Sequence, residues 1–243
     1  LTHHGTGDWS GRIVSLLPVT WVQDWPIPGE VLPQNIGTMK WDGKIPFKHT
    51  EKLSIKRSDD FDEDCLAPQW QWNYQPRKDY FSLTERPGWL RLKAYRPLET
   101  NNLLKAGNTL TQRTFRKQNN DVTIKMDISN MQDGQKNGLC HFSSQHSAIG
   151  IVKEEDACYL EYRKNGNITK GIPIPSEFIW FRTEWGMDGK SQYYYSLDGD
   201  NFLPFGEKYQ LTWGNYRGDR IGIYCFNDKK ETGSVDVDYC HYR

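Results

Sequence analysis

From about residue 53 onward, hydrophobic and polar residues alternate in many short runs. This period of two is typical of strands that bury one face and expose the other. Turn-forming pairs such as Asp133-Gly134 and Asp188-Gly189 separate the runs. No stretch has the period of a convincing amphipathic helix. The hydrophobic positions that share a face are Leu90, Leu92 and Ala94; Val122, Ile124, Met126 and Ile128; Ile149 and Ile151; Leu160 and Tyr162; Ile179 and Phe181; Tyr193 and Tyr195; Ile221, Ile223 and Cys225; and Val235, Val237 and Tyr239.

Many short strands with frequent turns predict an all-β fold in which two sheets pack as a sandwich or jelly roll. Residues 1–46 have a different pattern, with short strands that end at Pro18 and at the turn around Pro26. The Pro- and Gly-punctuated stretch 31–48 predicts a linker. Because so few strands cannot build a core, we expect residues 1–46 either to pack against a domain formed by residues 47–243 or to remain partly ordered.

Composition argues against nucleic-acid binding and against membrane association. The 243 residues carry a formal net charge of +0, so no basic field gathers the phosphates of nucleic acid or an anionic membrane. Mean hydropathy is -0.80, and no apolar run is long enough to span a bilayer. Aromatic residues reach 14%, which fits either a β-rich core or surfaces that stack on sugar rings.

The five cysteines are scattered and form no C-x-x-C pair, which argues against a zinc site. We expect free thiols buried as small hydrophobic groups, with a disulfide left open because spacing does not reveal proximity. The first residues have neither a charged nor an apolar region of a signal peptide. Together with the start at Leu1, this is the pattern expected of a fragment or a processed product.

Five motifs resemble one family in the same order along the chain. They are WQWN (70–73), SLTERPGWLRL (82–92), NTLTQR (108–113), YSLDGDNF (195–202) and YRGDRIGIY (216–224). Residues 53–243 resemble the concanavalin-like C-terminal sandwich of glycoside hydrolase family 43 β-xylosidases and α-L-arabinofuranosidases, which is similar to carbohydrate-binding module family 91. Residues 1–46 resemble a remnant of the last β-propeller blade and the linker. The resemblance implies a secreted or periplasmic protein.

The resemblance also implies that catalysis lies elsewhere. Family 43 enzymes are inverting and need a general base, a general acid and a third acid, with the first two far enough apart to leave room for the attacking water. The resemblance places these carboxylates in propeller blades upstream of Leu1, so we assign no catalytic residue in this chain. The acidic stretch 59–64 is no substitute, because neighbouring carboxylates on one segment do not face each other across a scissile bond.

Two further positions are assigned only by the resemblance. His3 or His4 matches the family's histidine near the propeller centre, and the match does not fix which of the two it is. The alternative is a solvated histidine pair. Tyr216 corresponds to a loop aromatic that edges the catalytic pocket, and the alternative is an exposed turn tyrosine.

A calcium site is expected where the first and last strands of the sandwich run side by side. Asp60 and Asp238 each precede an aromatic residue that should point inward, and carboxylate oxygens are suitable Ca²⁺ ligands. The alternative is an acidic edge that prevents pairing with other sheets.

A sugar-binding surface is expected on the segment FIWFRTEW, residues 178–185. Period-two alternation puts Trp180, Arg182 and Glu184 on one face, where an aromatic ring and hydrogen-bonding groups suit a sugar. Trp72 and either Gln112 or Arg113 are candidates to join it, since these two neighbours point to opposite faces. The alternative is a core between sheets with a few satisfied polar groups.

Three functions follow from these observations. The leading one is a non-catalytic module that binds xylan, arabinoxylan or xylo-oligosaccharide. The second is a structural cap that stabilises the propeller domain of a parent enzyme and edges its active site. The third is a glycosidase that hydrolyses xylosides or arabinofuranosides by itself.

Overall fold

Strands form nearly the whole regular structure of the protein. The computed structural model describes residues 2–4, 7–12, 14–38, 55–214 and 217–243. Three hairpins come first and pair β1 (Thr2–His4) with β2 (Val14–Leu16), β3 (Val19–Val22) with β4 (Trp25–Pro28), and β5 (Glu30–Leu32) with β6 (Ile36–Thr38).

Fifteen further strands follow within residues 55–243. They are β7 (Gln71–Trp72), β8 (Phe81–Ser82), β9 (Leu90–Lys93), β10 (Thr109–Arg113), β11 (Asn120–Asp127), β12 (Gln135–Phe142), β13 (His146–Glu154), β14 (Ala157–Lys164), β15 (Asn167–Pro173), β16 (Phe178–Trp185), β17 (Lys190–Ser196), β18 (Leu203–Pro204), β19 (Tyr209–Gln210), β20 (Arg220–Asn227) and β21 (Ser234–Tyr242). The helical elements among the described residues are 3₁₀ turns at Pro33–Asn35, Lys78–Tyr80 and Leu103–Lys105. None of them has the length or apolar character needed to cross a membrane.

The strands make two large antiparallel sheets. The seven-stranded sheet has the order β15-β14-β13-β12-β20-β10-β7. The eight-stranded sheet has the order β18-β17-β16-β11-β21-β9-β8, with β19 also paired to β17. The main apolar cluster takes fully buried residues from both sheets, such as Leu139 and Ile223 from one and Ile124 and Phe181 from the other. The prediction of an all-β two-sheet sandwich is therefore confirmed.

One predicted face is wrong near the end of the chain. Val235 and Val237 are buried as expected, but Tyr239 is on the outer face and stacks on His241 with ring centroids 3.9 Å apart. A register shift opposite Lys125 and Met126 inserts Asp238 as an extra residue in β21. Such a bulge reverses the alternation, so Cys240 and not Tyr239 returns to the core.

The segment 7–12 packs against the sandwich. Trp9 is buried in the main apolar cluster, and its carbonyl accepts a 2.7 Å hydrogen bond from the backbone N–H of Asp219. Gly189 has a φ of +70°, and a Cβ there would lie 2.7 Å from the Trp9 ring. Glycine is therefore required at this turn both for its backbone conformation and for the close approach. The expectation that the N-terminal piece leans on the following domain agrees with these contacts.

Candidate functional site

Strand β16 separates its two faces as its sequence predicts. Its residues alternate strictly between partly exposed and buried, and Trp180, Arg182 and Glu184 are on the partly exposed side. The indole N–H of Trp180 donates to the Tyr239 hydroxyl at 3.1 Å. The guanidinium of Arg182 lies 3.7 Å from the Phe202 ring centroid. These side chains form the outer face of the eight-stranded sheet.

The aromatic rings on this outer face make cation–π contacts with lysine and arginine side chains of the same chain. The Lys125 ammonium lies 5.2 Å from the ring centroid of Trp89, 5.5 Å from that of Phe178 and 5.7 Å from that of Trp180. Arg86 lies 3.8 Å over Trp89. Cation–π contacts of this kind hold the cations over the rings. Much of the aromatic surface that a sugar ring would stack on is thus already in contact with side chains.

Carboxylates between these cations balance their charge. Asp236, with 1% of its side chain exposed, accepts bonds of 2.7 and 2.8 Å from Arg91 and one of 2.9 Å from Arg86. Arg86 also donates to Asp127 at 2.6 Å. Hydrogen bonds to Asp236 raise the pKa of Arg91. The surface therefore has paired charges and no excess of either sign at this point.

The other predicted sugar contacts do not join this surface. Trp72, Gln112 and Arg113 belong to β7 and β10 of the opposite sheet. Trp72 packs on Phe81 with ring centroids 4.8 Å apart. Their placement corrects the expected grouping with Trp180, which the sequence could not test because it does not reveal which strands share a sheet.

Gln112 and Arg113 do point to opposite faces, as expected from their adjacency. Gln112 is 1% exposed and donates to the Arg57 carbonyl at 3.1 Å, so it has the role of a satisfied core amide. Arg113 is exposed, and its guanidinium lies 3.4 Å from the Ser10 carbonyl. A ligand on the outer face of the eight-stranded sheet would therefore contact neither Gln112 nor Arg113, because both belong to the other sheet.

A polar groove lies at the other end of the same outer face. Its volume is 750 Å³, and the residues that matter here are Asn120, Asp121, Glu184, Asp188, Gln192 and Tyr194. Asp121, Glu184 and Gln192 are direct cross-strand neighbours on β11, β16 and β17. Of these six residues, only Glu184 was a predicted site residue. The other five residues are brought together by the pairing of β11, β16 and β17. Alternation along a single strand gives no information about that pairing.

The outer face of the seven-stranded sheet is covered by the chain itself. Residues 96–107 cross it and bury Leu103 and Ala106 against Tyr224 and Phe226 in a second apolar cluster. Beside this cover, buried Arg163 is held by Glu161 and by Asn101, whose side-chain oxygen accepts a 2.8 Å bond. Burial lowers the pKa of His146 to about 4, with a smaller effect from Arg163.

The predicted calcium pair has protein partners instead. His241 Nε2 lies 2.7 Å from Asp60 Oδ1, and Lys125 donates to Asp238 at 2.7 Å. Within the described ranges no group of three or more His, Cys, Asp or Glu side chains is arranged to hold a metal ion. An ammonium on one carboxylate opposes a divalent cation, so these residues do not fit Ca²⁺. The aromatic residue after Asp60 was also expected to point inward, and Phe61 is indeed buried.

Several other predicted positions have a simple account. Asp59 is buried and accepts a 2.7 Å bond from the Trp70 indole, which gives it a structural role. All five cysteines are free, as expected, but Cys65 is exposed and Cys158 is only partly buried. Tyr216 and the side chains of His3 and His4 lie outside the described residues, so their assignments stay predictions.

A histidine and an aspartate meet in the core, and the aspartate comes three residues after Tyr216 in the sequence. His141 Nδ1 lies 2.9 Å from Asp219 Oδ1, and its Nε2 lies 3.0 Å from Thr183 Oγ1. Burial raises the pKa of Asp219. Because the three side chains are inaccessible to solvent, they cannot reach a substrate. They fix the chain at Asp219, three residues after Tyr216 in the sequence.

Among the described residues, the most exposed aromatic side chains are in the N-terminal hairpins. Trp21 and Trp25, in β3 and β4, are 70% and 74% exposed. Leu16, Leu32 and Ile36 of the neighbouring hairpins are also exposed. The register pairs Trp21 with Pro26 and Val22 with Trp25, so the two indoles lie on opposite faces of the hairpin. Large exposed apolar side chains are typical of surfaces that another protein surface covers.

Comparison with known proteins confirms the resemblance seen in the motifs. A family model described as "Beta xylosidase C-terminal Concanavalin A-like domain" matches residues 58–243. A β-xylosidase of Formosa agariphila is 35% identical, with a match that covers 96% of this chain and 43% of that protein. A putative β-xylosidase of Xylanibacter ruminicola is 31% identical, with coverage of 87% and 39%.

Solved structures give the same result. A bifunctional GH43-CE protein of Bacteroides eggerthii matches 100% of this chain and 32% of its own, with a TM-score of 0.80 and 27% identity. The chain thus spans less than half of the length of each of these relatives.

Proposed function

Because the chain belongs to the family of β-xylosidase C-terminal concanavalin A-like domains found in glycoside hydrolase family 43 enzymes, we propose that it is a non-catalytic accessory domain of such an enzyme. In this role it packs against and stabilises the catalytic domain of a β-xylosidase or α-L-arabinofuranosidase. The enzyme's substrates are xylan-type glycans, and we propose a secreted or periplasmic location because such polymers lie outside the cell.

The observation that carries this proposal is the exposure of Trp21 and Trp25 on the β3–β4 hairpin. Exposed tryptophans cost free energy in water and are enriched at the centre of protein interfaces. The cation-bearing rings of the sandwich offer no comparable apolar surface. The hairpins are therefore the part of the chain best suited to contact a catalytic domain.

The chain that follows Tyr216 in the sequence is held rigidly, which fits the same role. A Cβ at Gly218 would lie 2.3 Å from the Gly11 backbone nitrogen, so the two segments are in close contact. Asp219 is anchored to His141 and to Trp9. A loop held at its base in this way suits the shaping of an active-site mouth.

The accessory role is tested with a chimera. We would replace the matched C-terminal region of the Formosa agariphila β-xylosidase with this chain and measure thermal unfolding and hydrolysis of nitrophenyl xyloside. The double substitution Trp21→Ser and Trp25→Ser is expected to lower the melting temperature of the chimera by several degrees and to reduce its activity. The isolated chain is expected to show no hydrolysis, and turnover by it would instead support the glycosidase alternative.

Two controls make this test specific. Tyr74→Ala removes an exposed aromatic ring of the sandwich and should leave the chimera unchanged. In the isolated chain, the double tryptophan variant should change the free energy of unfolding by less than about 0.5 kcal/mol, because exposed side chains contribute little. If the double tryptophan substitution left the melting temperature and the activity of the chimera unchanged, the proposed contact with the catalytic domain would be contradicted.

A second candidate function, xylan or arabinoxylan binding, is favoured by the polar groove. Its lining is rich in carboxylate and amide groups, and its 750 Å³ suits a short oligosaccharide. Calorimetric titration of the isolated chain with xylohexaose and soluble arabinoxylan tests this function, with a cello-oligosaccharide as the control. Saturable heat with the xylo-ligands supports it, and no heat with any ligand contradicts it.

A further inference from the structure

We infer that Arg113, Arg217 and Arg220 form a carboxylate-binding site, and that its occupant is an Asp or Glu side chain of the catalytic domain that this chain accompanies. These three residues are called the arginine cluster below. The inference rests on the proposed accessory function and adds to it the chemistry of the partner surface. It is separate from the exposed tryptophans of the β3–β4 hairpin, which offer an apolar contact and no charge.

The strand register brings the arginine cluster together. Arg113 is directly opposite Arg220 on the antiparallel strands β10 and β20. Because Ile221 and Ile223 of β20 point into the core, their neighbour Arg220 lies on the outer face of the seven-stranded sheet, together with Arg113. Arg217 approaches from the loop before β20, and its charge acts on Arg220. Like charges directly opposite each other destabilise a sheet, so an anion between them would relieve the repulsion.

Arg220 is a buried cation whose hydrogen-bond partners are neutral. It is 8% exposed, its Nε donates to the Thr111 hydroxyl at 2.8 Å, and its Nη2 donates to the Thr111 carbonyl at 3.3 Å. A guanidinium has five N–H donors, and these bonds use two of them. Thr111 thus holds one edge of the guanidinium and fixes its plane. The end formed by Nη1 and Nη2 keeps donors in the geometry that a carboxylate accepts with both of its oxygens.

The charge of Arg220 is not balanced within the described part of the chain. No ion pair there includes a member of the arginine cluster, and Asp219, the next residue in sequence, lies 2.9 Å from His141. Burial, followed by the charges of Arg217 and Arg113, lowers the pKa of Arg220 to about 10, and Asp219 offsets only part of this effect. A buried cation is costly without a counter-ion, so an added carboxylate would stabilise the folded chain.

The position of the arginine cluster points to a protein carboxylate as the occupant. Arg113 Nη2 lies 3.4 Å from the carbonyl of Ser10, in the segment 7–12 that connects the two strands of the first hairpin. Asp8, the one carboxylate of that segment, pairs with Arg116 at 2.7 Å. A catalytic domain that contacts the N-terminal hairpins is therefore expected to reach the cluster as well. The match covers 43% and 39% of the two β-xylosidases, so most of each relative is available to supply the carboxylate.

The first arm of the test measures thermal unfolding of the isolated chain in sodium succinate against sodium chloride of equal ionic strength. Succinate supplies a carboxylate that belongs to no protein. The melting temperature of the wild type should rise saturably, by about 2–4 °C at about five times the dissociation constant. Arg113→Gln and Arg220→Gln should each lose this rise. Arg96→Gln is the matched control and should keep it, because Arg96 is exposed and donates to the Lys229 carbonyl, outside the cluster.

The second arm repeats these measurements in the chimera with the Formosa agariphila enzyme. If a carboxylate of the catalytic domain occupies the cluster, succinate should no longer raise the melting temperature. Arg113→Gln should lower the melting temperature of the chimera by a few degrees but should not lower that of the isolated chain in chloride, because only the chimera supplies a counter-ion. Circular dichroism shows which variants fold, and Arg113→Gln, at an exposed position, decides the test if Arg220→Gln does not fold.

The outcomes separate this inference from the function it rests on. An equal succinate response in the wild type and in the cluster variants of the isolated chain would overturn the site. A full succinate response in the chimera would overturn the catalytic domain as the occupant and leave a site for free anions. A chimera destabilised by the double tryptophan substitution but not by the cluster variants would retain the accessory function and reject the inference.

Discussion

The outer face of the seven-stranded sheet is covered by residues 96–107, whereas the outer face of the eight-stranded sheet is open to solvent. The covered face holds apolar side chains and a buried ion pair, Glu161 with Arg163. The open face holds half-solvated cations over aromatic rings, with the polar groove at one end. A sandwich has two surfaces on which a ligand can lie, and here residues 96–107 occupy part of one of them. The uncovered part of that face still holds a groove, lined by residues such as Val152, Tyr159 and Lys170.

The largest effect should come from loosening the cover. Leu103 is fully buried in the second apolar cluster, so Leu103→Ala should lower the free energy of unfolding by about 2–5 kcal/mol through lost burial and the cavity it leaves. Urea denaturation measures this loss. Leu98→Ala is the control, because Leu98 lies in the same segment but is 74% exposed. Equal costs for the two variants would mean that the segment does not pack as a cover.

Acid should destabilise the covered face first. The pKa of His146 is about 4 in the folded protein, against 6.5 for the unfolded chain. Between these values the unfolded state binds more protons, so stability falls as the pH is lowered from 6.5 to 4. The loss approaches about 3 kcal/mol at most. Urea midpoints measured from pH 7 to pH 4 should show it in the wild type and not in His146→Gln.

The ion pairs of the open face should lose their contribution to stability only at a pH lower than the range in which His146 titrates. Burial alone would raise the pKa of Asp127, but hydrogen bonds from Ser129 and Arg86 lower it below its ordinary value of 3.8. A carboxylate with a lowered pKa loses its contribution only as the pH falls below that value. If His146→Gln retained the full slope between pH 6.5 and 4, the assignment of that window to the covered face would be wrong.

Alternation along the chain predicted most of the fold because each strand buries one face independently of its neighbours. The pattern placed Ile179 and Phe181 inward and Trp180 outward, and the structure agrees. It failed at Tyr239, where the extra residue Asp238 shifts the register of β21. A bulge depends on how two strands pair, and that information is not present in one strand.

The candidate site was predictable only in part for the same reason. Glu184 was identified from its own strand, but Asn120 comes from β11, which is distant in sequence. Gln192 and Tyr194 come from the next strand, β17, where alternation alone does not show which side chains line a groove with Glu184. Gln112 was expected at a sugar surface because its residue type is polar. Its burial could not be foreseen, since β10 contributes that side to the core between the sheets.

The smallest of the three effects compares two carboxylates within the open face. Asp236 is almost fully buried and accepts bonds from Arg86 and Arg91, whereas the side chain of Asp238 is 29% exposed and pairs with Lys125. Asp236→Asn should cost about 1–3 kcal/mol, because its three hydrogen bonds from Arg86 and Arg91 are weakened. Asp238→Asn should cost no more than about 1 kcal/mol, because water screens the pair.

Urea unfolding of both variants at low and high salt tests the contrast. Added salt should reduce the small effect of Asp238→Asn and leave most of the effect of Asp236→Asn, because buried pairs are screened less than exposed ones. If the two costs were equal and equally sensitive to salt, burial would not be what distinguishes them. The open face would then be a solvated charge array throughout, and its ion pairs would contribute little to holding β9, β11 and β21 in register.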